Sequence, residues 1–177
     1  METFDALLTR QSCRNFTNEP VSEQDLAKII AAANNAPVGM AMFDCLRLTV
    51  IQDPNILLGL EETVLNINPN FTREHPLFNA PLAIVVSTKD VEGPYALMHK
   101  LSGACVMENM MVEAADLGLG SCYLMGAASV IAQSPEFMEQ IGLPEGFTPM
   151  SIAIVGHSAQ PLAKRQPVND KIVCDFC

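Results

Sequence analysis

Thr9-Arg10-Gln11-Ser12-Cys13-Arg14-Asn15-Phe16 sets two guanidiniums four residues apart, with a hydroxyl between them, at the end of a short apolar segment. Arginine is charged at every physiological pH, and its planar fork of donors matches a phosphate bidentately. Two arginines and a serine at this spacing can close on one phosphate group. The same spacing also suits an i, i+4 surface pair on a helix end that meets acids elsewhere, and on spacing alone that reading stays open.

Upstream of this stretch, Phe4, Leu7 and Leu8 share a face and predict a helix over residues 3–10. Downstream, Pro20-Val21-Ser22 opens a second helix, with Ser22 as N-cap and Asp25 three residues on, a capping box with Asp in place of Glu. Leu26, Ile29, Ile30 and Ala33 form its apolar stripe, and Asn34-Asn35-Ala36-Pro37 ends it, since the residue before proline avoids helical angles. Val38-Gly39-Met40-Ala41-Met42 is irregular and apolar. Its glycine either lets the backbone approach a ligand or belongs to a plain loop.

Further out, residues 45–51 read as a strand, and Asp53-Pro54 opens a helix to about Leu65. Residues 66–80 form a connection long enough to be functional or mobile. Ala83-Ile84-Val85-Val86 is a central strand. From Pro94 to Leu117 runs the longest helix, about 36 Å at 1.5 Å per residue, and apolar on nearly every side. It is expected to be buried on most sides, at the centre of the fold and at a dimer interface. Gly118 is its natural left-handed cap. Residues 121–124 predict a short strand, Met125-Gly126 a turn, residues 127–141 further helix restarting at Ser134-Pro135, and Pro149–Val155 the last strand. The pattern describes one domain over residues 1–177, α+β or α/β, with 166–177 an extended tail.

Hydrophobic residues make up 49% of the chain and charged residues 17%, so a real core is expected and surface charge is sparse enough to suggest a second subunit. A net charge of −10 argues against nucleic acid and anionic membranes as partners. Against it, the two local basic pairs stand out: Arg10/Arg14 and Lys164/Arg165. With an acidic amino terminus, no long apolar run and scattered cysteines, a cytoplasmic location is expected.

The signatures of other chemistries are missing. There is no Gly-x-x-x-x-Gly-Lys loop, and Gly118-Leu-Gly120 follows a helix and lacks a third glycine. Cys174-x-x-Cys177 has no partner pair for zinc. His75, His99 and His157 lie on different segments, and no carboxylate pair stands out. No catalytic side chain and no metal ligand is assigned.

In combination the motifs become familiar. Arg-Gln-Ser-Cys-Arg-Asn-Phe resembles the Arg-x-Ser-x-Arg-x-Phe opening of the FMN-dependent nitroreductase family. Asn35-Ala36-Pro37-Val38-Gly39 sits where that family has its flavin loop, and Asn79-Ala80-Pro81 before Leu-Ala-Ile-Val-Val looks like its Ala-Pro strand. Gly118–Gly126 is similar to its Gly-Leu-Gly-Thr-Cys segment, residues 141–146 and 152–156 match its helix-turn and last strand, and Lys164-Arg165 falls where a basic pair returns to the phosphate.

The resemblance implies a nitroreductase-like α+β fold: a central, mostly antiparallel sheet flanked by helices, in a homodimer with FMN at the interface. Arg10, Gln11, Ser12, Arg14, Lys164 and Arg165 would hold the cofactor's phosphate end, Pro37, Val38 and Gly39 would lie against its rings, and Met125 and Gly126 would sit on the other side. The flavin would take electrons from NAD(P)H and pass them to a nitroaromatic, a quinone or a similar small acceptor. The chain departs from the family at Met40-Ala41-Met42-Phe43-Asp44-Cys45, which replaces an Asn and a Pro-Trp, and at Met125, where Glu is frequent. A more apolar pocket follows. Two other readings accompany this one: a flavin-storing or flavin-sensing protein, and a flavoprotein reduced by an iron–sulfur protein docking near the Cys-rich tail.

Overall fold

Four largely apolar runs make the sheet, and a computed structural model describes it together with the rest of residues 1–168 and 170–177. The strands are β1 (Leu46–Ile51), β2 (Leu82–Lys89), β3 (Gly120–Leu124) and β4 (Phe147–Gly156). They lie in the order β1-β2-β4-β3, and every neighbouring pair is antiparallel. The fold is therefore α+β, as the sequence led us to expect. Leu82, Ile84 and Val86 with Ala153 and Val155 join one core; Ala83, Val85, Ile152 and Ile154 join the other. Both faces of β2 are covered, which is why it reads as an unbroken apolar run. A bulge between Val86 and Ser87 shifts its register against β4.

The first core lies under α2 (Glu23–Asn34) and α4 (Pro94–Asp116). The second lies under α3 (Pro54–Ile67), α5 (Gly126–Ile131) and α6 (Pro135–Gln140). Short α1 (Thr3–Thr9) packs on α4. Local chemistry sets the ends of these helices. Ser22 Oγ accepts from Asp25 N at 3.1 Å, Asp53 Oδ1 from Asn55 N at 2.8 Å, and Ser134 Oγ from Phe137 N at 3.3 Å. Gly118, at φ 78°, ends α4 while Leu119 N donates to Ala114 O at 2.8 Å and Gly118 N to Ala115 O at 3.1 Å, a Schellman motif.

Three expectations need adjusting. α3 runs on to Ile67, because nothing in Asn66-Ile67 stops a helix before Asn68-Pro69. Gly126 is the first residue of α5 and not part of a turn. And α4 is not enclosed within the chain. Val106, Met107, Met110 and Ala114 are buried under the sheet and α2, but Leu97 and Leu101 are 63% and 58% exposed.

Candidate functional site

α1 closes its last turn with Arg10 N donating to Ala6 O at 2.8 Å, and the chain then becomes extended. Ser12 forms a short parallel bridge with Ser121 at the start of β3, Cys13 N donates to Ser121 O at 2.8 Å, and Phe16 bridges antiparallel to Ser158. Extended backbone alternates its side chains, so Cys13 is buried while its neighbours Ser12 and Arg14 are exposed; Phe16 is buried as well, out of that alternation, where its backbone bridges to Ser158. Cys13 fits only because Gly120 has no side chain: a Cβ there would sit 2.8 Å from the Cys13 sulfur. The helical i, i+4 reading of Arg10 and Arg14 falls, because α1 stops at Thr9.

A polar cleft of about 310 Å³ opens along this segment, walled by residues 11–15 on one side and by Ser158, Gln160 and their neighbours on the other. Arg14 lies on it with no ion-pair partner among the described residues. Arg10 Nε is 3.4 Å from Glu108 Oε1 on α4. Buried Cys122 reports the local field: burial pushes its thiol up, while the charge of Arg14 and a hydrogen bond with Ser12 pull it down.

The carboxyl-terminal basic pair returns to the same place. Gln11 Nε2 donates to Ala163 O at 3.3 Å. Arg165 donates to α1 three times, from its backbone N (3.1 Å) and Nε (3.0 Å) to Leu8 O and from Nη2 (2.8 Å) to Leu7 O. Lys164 pairs with Asp5. A cation on the last carbonyls of a helix complements its dipole. So the carboxyl-terminal segment docks on α1 and on Gln11, but Lys164 is neutralised by Asp5 and Arg165 spends its Nε and Nη2 donors holding α1.

The remaining predicted residues stand apart. Met125, 61% exposed, lies four residues beyond Ser121, about 13 Å along the strand direction. Gly126 follows as the first residue of α5, so its N–H has no intrahelical acceptor, and its missing side chain faces open space. Pro37, Val38 and Gly39 run onto α4, where Gly39 N donates to Ser102 Oγ at 3.1 Å. Ser102 precedes Glu108, the partner of Arg10, by six residues, about 9 Å of helix. The small size of Gly39 answers to packing, since a Cβ there would lie 2.5 Å from Met98 Cγ. Next to it, Met40 and Ala41 both hold φ 54°, a left-handed conformation that costs non-glycine residues about 1–3 kcal/mol each.

Sequence reasoning missed Ser158 and Gln160, whose only signal was a polar run directly after the last strand, and it missed Lys89 and Lys100, which carry no motif. Among the described residues no group of three potential metal ligands forms, and no helix is long and apolar enough to cross a membrane.

A model described as the Nitroreductase family matches residues 7–157. A protein of Archaeoglobus fulgidus, provisionally named an NADH dehydrogenase/NAD(P)H nitroreductase, is 28% identical over 88% of this chain and 85% of its own length. The fold is shared with a nitroreductase with bound FMN from Bacteroides fragilis (TM-score 0.85, 21% identity, 99% of both chains). It is shared equally with one with bound FMN from Desulfitobacterium hafniense (TM-score 0.84, 24% identity, 99% of both chains).

Proposed function

The chain belongs to the nitroreductase family, and from that premise we propose that it is an FMN-dependent oxidoreductase drawing electrons from NAD(P)H for a nitroaromatic, quinone or similar small acceptor. The observation that carries the proposal is Arg14: a guanidinium without an ion-pair partner, beside the exposed Ser12 hydroxyl, on a polar cleft that the second basic cluster adjoins. That donor set fits a phosphate ester, and the open space at Gly126 fits a ring system passing the end of β3. Bound FMN would supply the chemistry, accepting a hydride from the nicotinamide and handing electrons on.

The chain's own part is binding and orientation. Arg14 and Ser12 bind the phosphate, and Arg10 adds charge while tied to Glu108. Arg165 acts chiefly by fixing the end of α1, with its remaining donors free for the ligand. The Gly126 N–H is available to stabilise negative charge developing on a reduced ring. Pro37–Gly39 reaches the cofactor only from a second copy. The exposed apolar stripe of Leu97 and Leu101, continued by Phe4 and Leu7 of α1, is the surface through which two copies pair.

The test is the absorbance spectrum of the purified protein, followed by NADH or NADPH without oxygen. Flavin bands that bleach are expected. A protein that is colourless and refuses added FMN overturns the reading. Flavin that binds but never bleaches leaves a storage or sensing role, or another electron donor. Arg14→Ala should weaken FMN binding by about 1.5–3 kcal/mol, the worth of a hydrogen bond to a charged group.

A further inference from the structure

A cavity of about 670 Å³ lies at the end of the sheet where β2 leaves for α4, away from the cleft at Ser12 and Arg14. Its volume suits a ligand of one or two rings. Ala132, Pro149 and Met150 give it apolar walls, and Met125 stands on its margin. Two lysines line it from different elements: Lys89, the last residue of β2, and Lys100, two turns into α4.

These are two of only ten cationic residues in a chain of net charge −10. Arg10, Lys28 and Lys164 each have an acid partner; among the described residues Lys89 and Lys100 have none. Asp90 and Glu92 also line the cavity, yet neither forms an ion pair with the lysines, so both cations stay available. Having no partner is common here, since among the described residues only three of the ten cationic side chains form an ion pair; what sets Lys89 and Lys100 apart is that both line one apolar-walled recess.

We propose that this cavity is the acceptor pocket and that Lys89 and Lys100 select an aromatic acceptor carrying a carboxylate or comparable anion, its ring against Pro149 and Met150 and its reducible group toward Met125. The inference rests on the flavin reading, which sets the cofactor beside Met125. For a nitro acceptor the reaction balances as nitroarene plus NAD(P)H plus one proton giving nitrosoarene, NAD(P)⁺ and water.

The test compares 4-nitrobenzoate with neutral 4-nitrobenzyl alcohol and with menadione, using FMN-loaded protein and a Lys89→Gln/Lys100→Gln variant. The KM for 4-nitrobenzoate should rise about tenfold in the variant at nearly constant kcat, the scale of one charged contact. KM for the two neutral acceptors should stay within about twofold, because they present no anion to the lysines. Equal changes for all three, or none, overturn the proposal. Calorimetric titration with benzoate, which cannot be reduced, gives a second readout: binding to the wild type that added salt weakens and the double substitution abolishes. Absence of benzoate binding by the wild type also overturns it. Menadione separates the two levels of inference. Turnover of menadione without charge discrimination sinks the pocket alone, whereas flavin-loaded protein that reduces no acceptor sinks the flavin reading, and benzoate binding then decides the pocket by itself.

Discussion

Both faces of α4 carry large apolar side chains, yet their fates are opposite. Inward, Val106, Met107, Met110 and Ala114 are at most 4% exposed beneath the sheet and α2. Outward, Leu97 and Leu101 stand mostly in solvent. A helix apolar all round must be covered all round, but the covering need not come from its own chain. The difference lies in what surrounds each face. The inner one is locked by neighbours that fit it individually, such as Gly103 against Met150 and Asn109 Nδ2 donating to Ala32 O at 3.1 Å, while the outer one presents bulk alone.

Substitutions along the helix and its supports can break or sharpen that contrast. Met110→Ala should cost the most, about 2–5 kcal/mol in chemical denaturation, because it leaves a cavity in a site with no exposure. Ser102→Ala removes the acceptor for Gly39 N and should cost about 1–3 kcal/mol through the unpaired donor. Ser22→Ala loses the cap of α2, which covers the inner face, and should cost about 1 kcal/mol by the same assay. Leu101→Gln should change unfolding of the dilute chain by no more than about 0.5 kcal/mol. It should nevertheless lower the mass seen by light scattering from two chains to one. If Leu101→Gln destabilised the dilute chain as much as Met110→Ala, the two faces would not differ as described.

The thiols give a parallel contrast. Cys174 and Cys177 are exposed, whereas burial pushes the Cys45 and Cys122 thiols above their ordinary range. Alkylation at about pH 8.5, near the ordinary cysteine pKa, should therefore mark the first two and spare the second two, as peptide mapping would report.

What the sequence disclosed was mostly local. The caps at Ser22 and Gly118 depend on neighbours within a few residues, and each strand carries its own local signal, although β2 runs three residues past Val86, to Lys89. The return of the carboxyl-terminal basic pair to the end of α1 was legible only through resemblance, since the Arg165 bonds to Leu8 and Leu7 span 157 and 158 residues. The capture of Lys164 by Asp5 and of Arg165 by helix carbonyls was not legible at all. Neither were the left-handed angles of Met40 and Ala41, which no local residue preference announces. The cavity at Lys89 and Lys100 is assembled from four segments that share no pattern.

The strand order carries a consequence for synthesis. β4 occupies an inner position between β2 and β3, yet it is the last strand to be made. Until residues 147–156 leave the ribosome, β3 has no strand partner and β2 has only β1. The segment around Ser12 is in the same position, because it docks on β3 and on residues 157–159. A nascent chain stalled with about residue 140 as the last to have emerged would therefore show helices and one antiparallel strand pair but no closed core, and the domain would close only once residues 147–159 had left the ribosome.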